Sequence, residues 1–230
     1  VPGFTQTATA WEPVAERLRA GGHDATAIEV PVGLDFTATV AAIGAVGGSA
    51  TYVGYSMGGR LCLRLALDRP DLVERLALVS ASPGIADADE RTARRAADEK
   101  LALDVEQRGV EAFLRDWLAQ PLFATLDANA SGLSDRAAAH TAADLATTLR
   151  LLGSGTQEPL WSRLAELRMP VAFVTGRADT KFEQINDAMQ AACASTTPVA
   201  RVHLDGGHAL PLEQPEAVAS FLLDWLVDEH

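Results

Sequence analysis

Short apolar strands alternating with helices predict an α/β protein: a mostly parallel sheet covered by helices on both faces, with a helical insertion between two strands. Three observations carry this. The runs "ATYVGY" (50–55), "RLALVSA" (75–81), "VAFVTG" (171–176) and "VARVHL" (199–204) are short and apolar, as strands buried on both faces should be. The stretch "GYSMGG" passes from strand to helix through a serine ringed by glycines. Residues 85–168 break the alternation, showing only helical patterns and a high density of Arg, Trp and Phe.

The elements follow in order. "VPGF" opens the chain as a loop, and a parallel-sheet protein should carry a strand just before such a loop. The pattern therefore implies a start at Val1 that is processed, truncated or incompletely represented. Residues 11–20 read as a helix ended by Gly21-Gly22, 25–30 ("ATAIEV") as a strand, and 37–47 as a weak helix. After the strand at 50–55, a helix spans 57–68 and is stopped by Pro70. A strand at 75–81 precedes helices near 89–106, 109–118, 135–151 and 159–167. Strand 171–176, a helix near 181–194, strand 199–204 and a last helix over 215–228 complete the chain. The expected division is a sheet-bearing core from residues 1–84 and 169–230, with 85–168 as a helical cap.

Composition limits the possible roles. The 230 residues suit one large domain, and with 48% of them hydrophobic disorder is excluded. A net charge of −12 with no basic stripe argues against nucleic acid as a partner. No apolar run approaches the length of a membrane span, and no signal peptide is visible. The two cysteines, Cys62 and Cys193, have no metal-like spacing, and Cys62 reads as a small core residue. Reduced thiols point to a cytoplasmic protein. There is no internal repeat, and oligomeric state is not encoded in any visible pattern.

Gly54, Ser56 and Gly58 make G-x-S-x-G. A sharp strand-to-helix turn leaves no room for side chains at the flanking positions and pushes the serine hydroxyl out at the carboxyl edge of the sheet. The helix that follows aims its amide groups and positive dipole end there. The pattern alone arises by chance, and the bland alternative is a glycine-rich turn with a helix-capping serine. The strand before it and the amphipathic helix after it favour a nucleophile elbow.

A serine hydroxyl needs an imidazole, and the imidazole needs an orienting carboxylate. Asp179 follows strand 171–176 by three residues, and His208 lies on the loop after the last strand, behind Gly206-Gly207. Asp205 competes as the acid but sits close to His208 along the chain. His203 belongs on one face of an edge strand, His23 follows an early helix, His140 lies in the cap and His230 is terminal. An oxyanion hole requires two backbone donors. Met57, directly after the nucleophile, supplies one, and Phe4 in "VPGFTQ" is the candidate for the other.

On these residues the sequence resembles the α/β-hydrolase superfamily over essentially its whole length. The segments "VGYSMGGRL", "DERTARRAADEKLA", "FLRDWLAQPLF", "GSGTQEPLW", "TGRADTKFEQI" and "GGHALPLEQPE" are similar to one branch, the 2-succinyl-6-hydroxy-2,4-cyclohexadiene-1-carboxylate synthases of menaquinone biosynthesis. The resemblance implies an α/β-hydrolase fold and a lyase that uses Ser56, Asp179 and His208 to remove a proton and expel pyruvate. It implies no metal or organic cofactor, and a small anionic substrate as partner. It also implies substrate-binding roles for Arg60, Arg94, Arg136, Tyr55 and Trp117.

Physics supplies the arginines with a reason, because a guanidinium binds a carboxylate through two parallel hydrogen bonds. Arg60 stands one helical turn after Ser56 and can share a face with it. Arg91 or Arg95 could take the place of Arg94, and all three could line a solvated face. The chain departs from the branch at Pro2-Gly3-Phe4, where His-Gly-Phe is usual, and at 30–36, where a "PGHG"-type turn is usual. The alternatives are a serine carboxylesterase or carbon–carbon bond hydrolase on the same triad, and a non-catalytic small-molecule receptor.

Overall fold

The computed structural model describes residues 1–227. Four strands, β1 (Ala50–Tyr55), β2 (Val73–Val79), β3 (Val171–Gly176) and β4 (Val199–Leu204), form a parallel sheet in that spatial order. Tyr55 pairs with Val79 and Gly176 with Leu204, so the carboxyl ends of the strands share one edge. In sheets of this kind, that edge is where ligands bind.

The period-2 alternation of strand side chains separates two cores. Leu76, Leu78, Val171 and Phe173 point to one face, where α2 (Phe36–Gly47), α3 (Met57–Asp68) and α8 (Thr180–Ala192) cover them with Ile43, Leu61, Leu65 and Met189. Ala77, Val79, Ala172 and Val174 point to the other, beneath Val14 of α1 (Glu12–Ala20) and Val218, Leu222 and Trp225 of α10 (Pro215–Val227). β3 is buried at all six positions, which explains why its sequence reads as a continuous apolar run. Cys62 has no exposed surface in the first core, and burial pushes its thiol up to about 11.

Between β2 and β3 lie α4 (Ala88–Arg108), α5 (Val110–Leu118), α6 (Leu133–Ala139) and α7 (Ala142–Leu152). They have a core of their own, built on Ala102, Val105, Phe113, Leu114, Leu145 and Leu149. Phe4 packs against both this core and the first sheet core, joining the insertion to the sheet.

Several expectations are corrected. Among the described residues, 25–30 form no strand; Ala27 and Ile28 are half-buried, but no ladder pairs the segment. The helix expected over 135–151 is two helices. It breaks at His140-Thr141, where Thr141 caps α7 and the Asp144 side chain bonds back to the Thr141 N–H. Residues Trp161–Glu166 wind as a 3₁₀ turn rather than an α-helix. A one-turn helix, α9 (Leu210–Glu213), was not anticipated. The last helix is described to Val227, and residue 228, its expected end, lies outside the described residues.

Candidate active site

Ser56 occupies the turn between β1 and α3 with φ 50° and ψ −109°, a conformation that side chains avoid. The flanking glycines are required by contact. A Cβ on Gly54 would stand 2.5 Å from the Gly58 carbonyl oxygen, and one on Gly58 would press into the Val1 and Pro2 carbonyls. Backbone hydrogen bonds from Ser56 N–H to the Val79 carbonyl and from Tyr55 N–H to the Val1 carbonyl fix the strand side of the turn.

The loops after β3 and β4 bring the other two groups to the same edge. His208 Nε2 lies 3.2 Å from Ser56 Oγ, and His208 Nδ1 lies 2.9 Å from Asp179 Oδ2. Both side chains of the histidine–aspartate pair are about 2% exposed. The imidazole is walled by the rings of Phe182, Tyr55 and Phe123 at centroid distances of 4.6, 5.4 and 5.9 Å. Asp205, the competing acid, is exposed and pairs with Arg177. His203 lies on edge strand β4 beside Thr175.

Ser56 and His208 open into a cavity of about 500 Å³. Phe4, Met57, Arg60, Arg94 and Trp117 also line it. Among the described residues, neither the Phe4 nor the Met57 backbone N–H has a hydrogen-bond partner. Thr5, next to Phe4, has φ 67° and is held from α6 and the residue after it. Arg136 Nη1 donates to Thr5 Oγ1 at 2.6 Å, and His140 Nε2 stands 3.2 Å from the Thr5 carbonyl oxygen.

The cations differ in state. Arg60 is 8% exposed, donates to the Gln157 side-chain oxygen at 2.9 Å and to the Leu152 carbonyl at 2.6 Å, and lies under the Phe36 ring. Burial and the nearby Arg94, opposed by the Asp98 carboxylate, lower it to about 10, which leaves it charged at neutral pH. Arg94 is half-exposed and bonds Asp98 at 2.8 Å. Arg91 bonds the Ile85 and Ala86 carbonyls and Arg95 the Gly155 carbonyl, and of the three arginines Arg94 lines the cavity.

Two expected substrate contacts, Arg136 and Tyr55, are buried side chains. Neither is among the residues that line the cavity: Arg136 donates from Nη1 to Thr5, and Tyr55 packs on His208. Burial lowers the Arg136 guanidinium and raises the Tyr55 phenol. Sequence reasoning missed Lys181 and Phe182, which line the cavity from the first turn of α8, although "ADTKF" placed them two and three residues after Asp179. It also missed Ser80, which follows β2 with φ 46° and lines the cavity. Among the described residues, no group of three or more His, Cys, Asp or Glu side chains could hold a metal ion, and no helix is long and apolar enough to cross a membrane.

A serine on a strained elbow, an imidazole within reach of it and a buried carboxylate behind the imidazole define a hydrolase-type site. The chain belongs to the alpha/beta hydrolase family, whose profile matches residues 1–221. The predicted fold holds. Within the family it is 31% identical over 223 residues to a 2-succinyl-6-hydroxy-2,4-cyclohexadiene-1-carboxylate synthase of Serratia proteamaculans, covering 95% of this chain and 84% of that one. It is 33% identical over 180 residues to a Bacillus subtilis protein provisionally given the same name, covering 76% of this chain and 64% of the relative, so the match spans just under two thirds of that protein's length. MenH from S. aureus superimposes with a TM-score of 0.85 at 25% identity, over 98% of this chain and 91% of that structure.

Proposed function

We propose that the protein is a menaquinone-pathway lyase that eliminates pyruvate from a polycarboxylate cyclohexene intermediate. The reading rests on one observation: a buried guanidinium whose hydrogen-bond acceptors are both neutral, Arg60, lines the same cavity as Ser56 and His208. A neutral ester has no use for such a cation, whereas a substrate carboxylate supplies the partner it lacks. The relatives named as synthases support the same substrate class.

The groups divide the chemistry as follows. His208 Nε2 accepts the Ser56 hydroxyl proton while Asp179 orients the imidazole and stabilises its charged form. Ser56 Oγ withdraws a proton from ring carbon, and the Phe4 and Met57 N–H groups bind the oxygen on which negative charge develops. The electron pair moves through the ring, breaks the ring C–O bond and expels pyruvate as its enolate, which takes the proton from His208 to give the enol and then tautomerises. No bond to Ser56 is needed.

Arg60 and Arg94 hold carboxylates, and Trp117 packs on the apolar part of the ring. Arg136 and Tyr55 act indirectly in this scheme: Arg136 through the loop that presents Phe4, and Tyr55 through the ring of His208. Residues 85–168 serve as the cap, with residues 1–84 and 169–230 as the core. The net charge of −12 and the two free thiols fit a cytoplasmic enzyme of small anions. Pyruvate release from the pathway intermediate, followed with a coupled dehydrogenase, tests the proposal. Release by wild type and its loss in Ser56→Ala are expected, and absence of release by wild type contradicts it.

A further inference from the structure

The buried amide of Gln157 is the least explained group around the cavity. Its oxygen accepts the Arg60 Nη1 bond at 2.9 Å, while its nitrogen, equally buried, donates to nothing among the described residues. The residue is 2% exposed and does not line the cavity. An idle buried N–H₂ group is costly. Glutamate has almost the same shape, would accept the same bond, would remove the idle donor and would pair with Arg60. On stability alone, a carboxylate is the better residue at 157.

The second acceptor of Arg60, the Leu152 carbonyl, is also neutral, and the Asp98 carboxylate acts on Arg60 through space while its hydrogen bond goes to Arg94. The contrast with Arg94 is direct, since that guanidinium is bound and neutralised by Asp98. The two arginines share a cavity, yet only Arg60 has both its protein acceptors uncharged.

We propose that Gln157 is a positioning residue whose function is to hold Arg60 in place with an uncharged acceptor, so that the guanidinium keeps its full charge for an anionic group of the ligand. The inference deepens the lyase reading and rests on it for the identity of the anion. The charge argument itself requires only that the ligand carry a carboxylate.

Succinate is a suitable probe, because its binding involves no chemistry. Calorimetric titration of succinate into wild type, Gln157→Glu and Gln157→Leu, with melting temperatures of each, separates charge from shape. Gln157→Glu should lose at least tenfold in succinate affinity while melting at or above the wild-type temperature. Gln157→Leu, which removes the hydrogen bond but adds no charge, should lose about threefold or less. Unchanged affinity in Gln157→Glu, equal losses in both variants, a lower melting temperature in Gln157→Glu, or no succinate binding by wild type would each overturn the proposal. If wild type binds succinate but releases no pyruvate, the lyase reading fails and the assignment of Gln157 stands.

Discussion

The two ends of the cavity are built by opposite means. At the Ser56 end, geometry comes from the backbone: one strained turn and two loops at the carboxyl edge of the sheet bring Ser56, His208 and Asp179 into a chain of 3.2 and 2.9 Å contacts. Within that chain the charged and polar side-chain groups partner one another. At the Arg60 end, geometry comes from side chains reaching across from the inserted helices and the segment after them, and one guanidinium is left without a bonded carboxylate. The first end is generic chemistry ready to run. The second is unsatisfied, and it selects the molecule on which that chemistry runs.

The comparison can be broken most severely at the first end. Ser56→Ala should lower turnover by about 10⁴–10⁶-fold, as removal of a nucleophile does in comparable triads, measured by single-turnover pyruvate release. Asp179→Asn should cost roughly 10⁴-fold by favouring the wrong imidazole tautomer, with circular dichroism and melting temperature close to wild type. At the second end, Arg60→Ala should cost on the order of 10–150-fold, the worth of a charged hydrogen bond. That loss should appear in KM for the anionic substrate, with the trace cleavage of a neutral ester unchanged. Arg94→Ala should cost less, about tenfold or under, because Asp98 already neutralises that side chain and water reaches it.

A structural variant sharpens the contrast. Gly58→Ala drives a methyl into the Val1 and Pro2 carbonyls, which are backbone and cannot rotate away. The expected loss is about 1–3 kcal/mol of stability, read from urea unfolding, together with loss of activity as the elbow distorts.

The same division explains what was legible in the sequence. β1, α3, β3 and β4 appear where their patterns place them, because strand periodicity and the glycine-bounded turn are local signals. Ser56, Asp179 and His208 were readable from chain order, since each follows a strand end at one edge of a parallel sheet. The segment 25–30 misled because alternation shows which face is buried and not whether a partner strand bonds it. The break at His140-Thr141 was encoded in "THR-x-x-Asp" form, Thr141 to Asp144, but the apolar run across it concealed the cap. Arg136 was assigned to substrate from resemblance, while its bond to Thr5 depends on a contact 131 residues away in sequence. Lys181 and Gln157 were missed for a related reason: nothing in the spacing says which side of a wall a side chain will occupy.

The central claim, that the Arg60 cation, bonded to no carboxylate, directs a hydrolase-type site toward a polycarboxylate, is tested most directly by a paired assay. Wild type and Arg60→Ala are each given the pathway intermediate and a short-chain nitrophenyl ester. The account predicts fast pyruvate release by wild type, negligible ester cleavage, and a selective loss of pyruvate release in Arg60→Ala. Ester cleavage without pyruvate release, unaffected by Arg60→Ala, would contradict it.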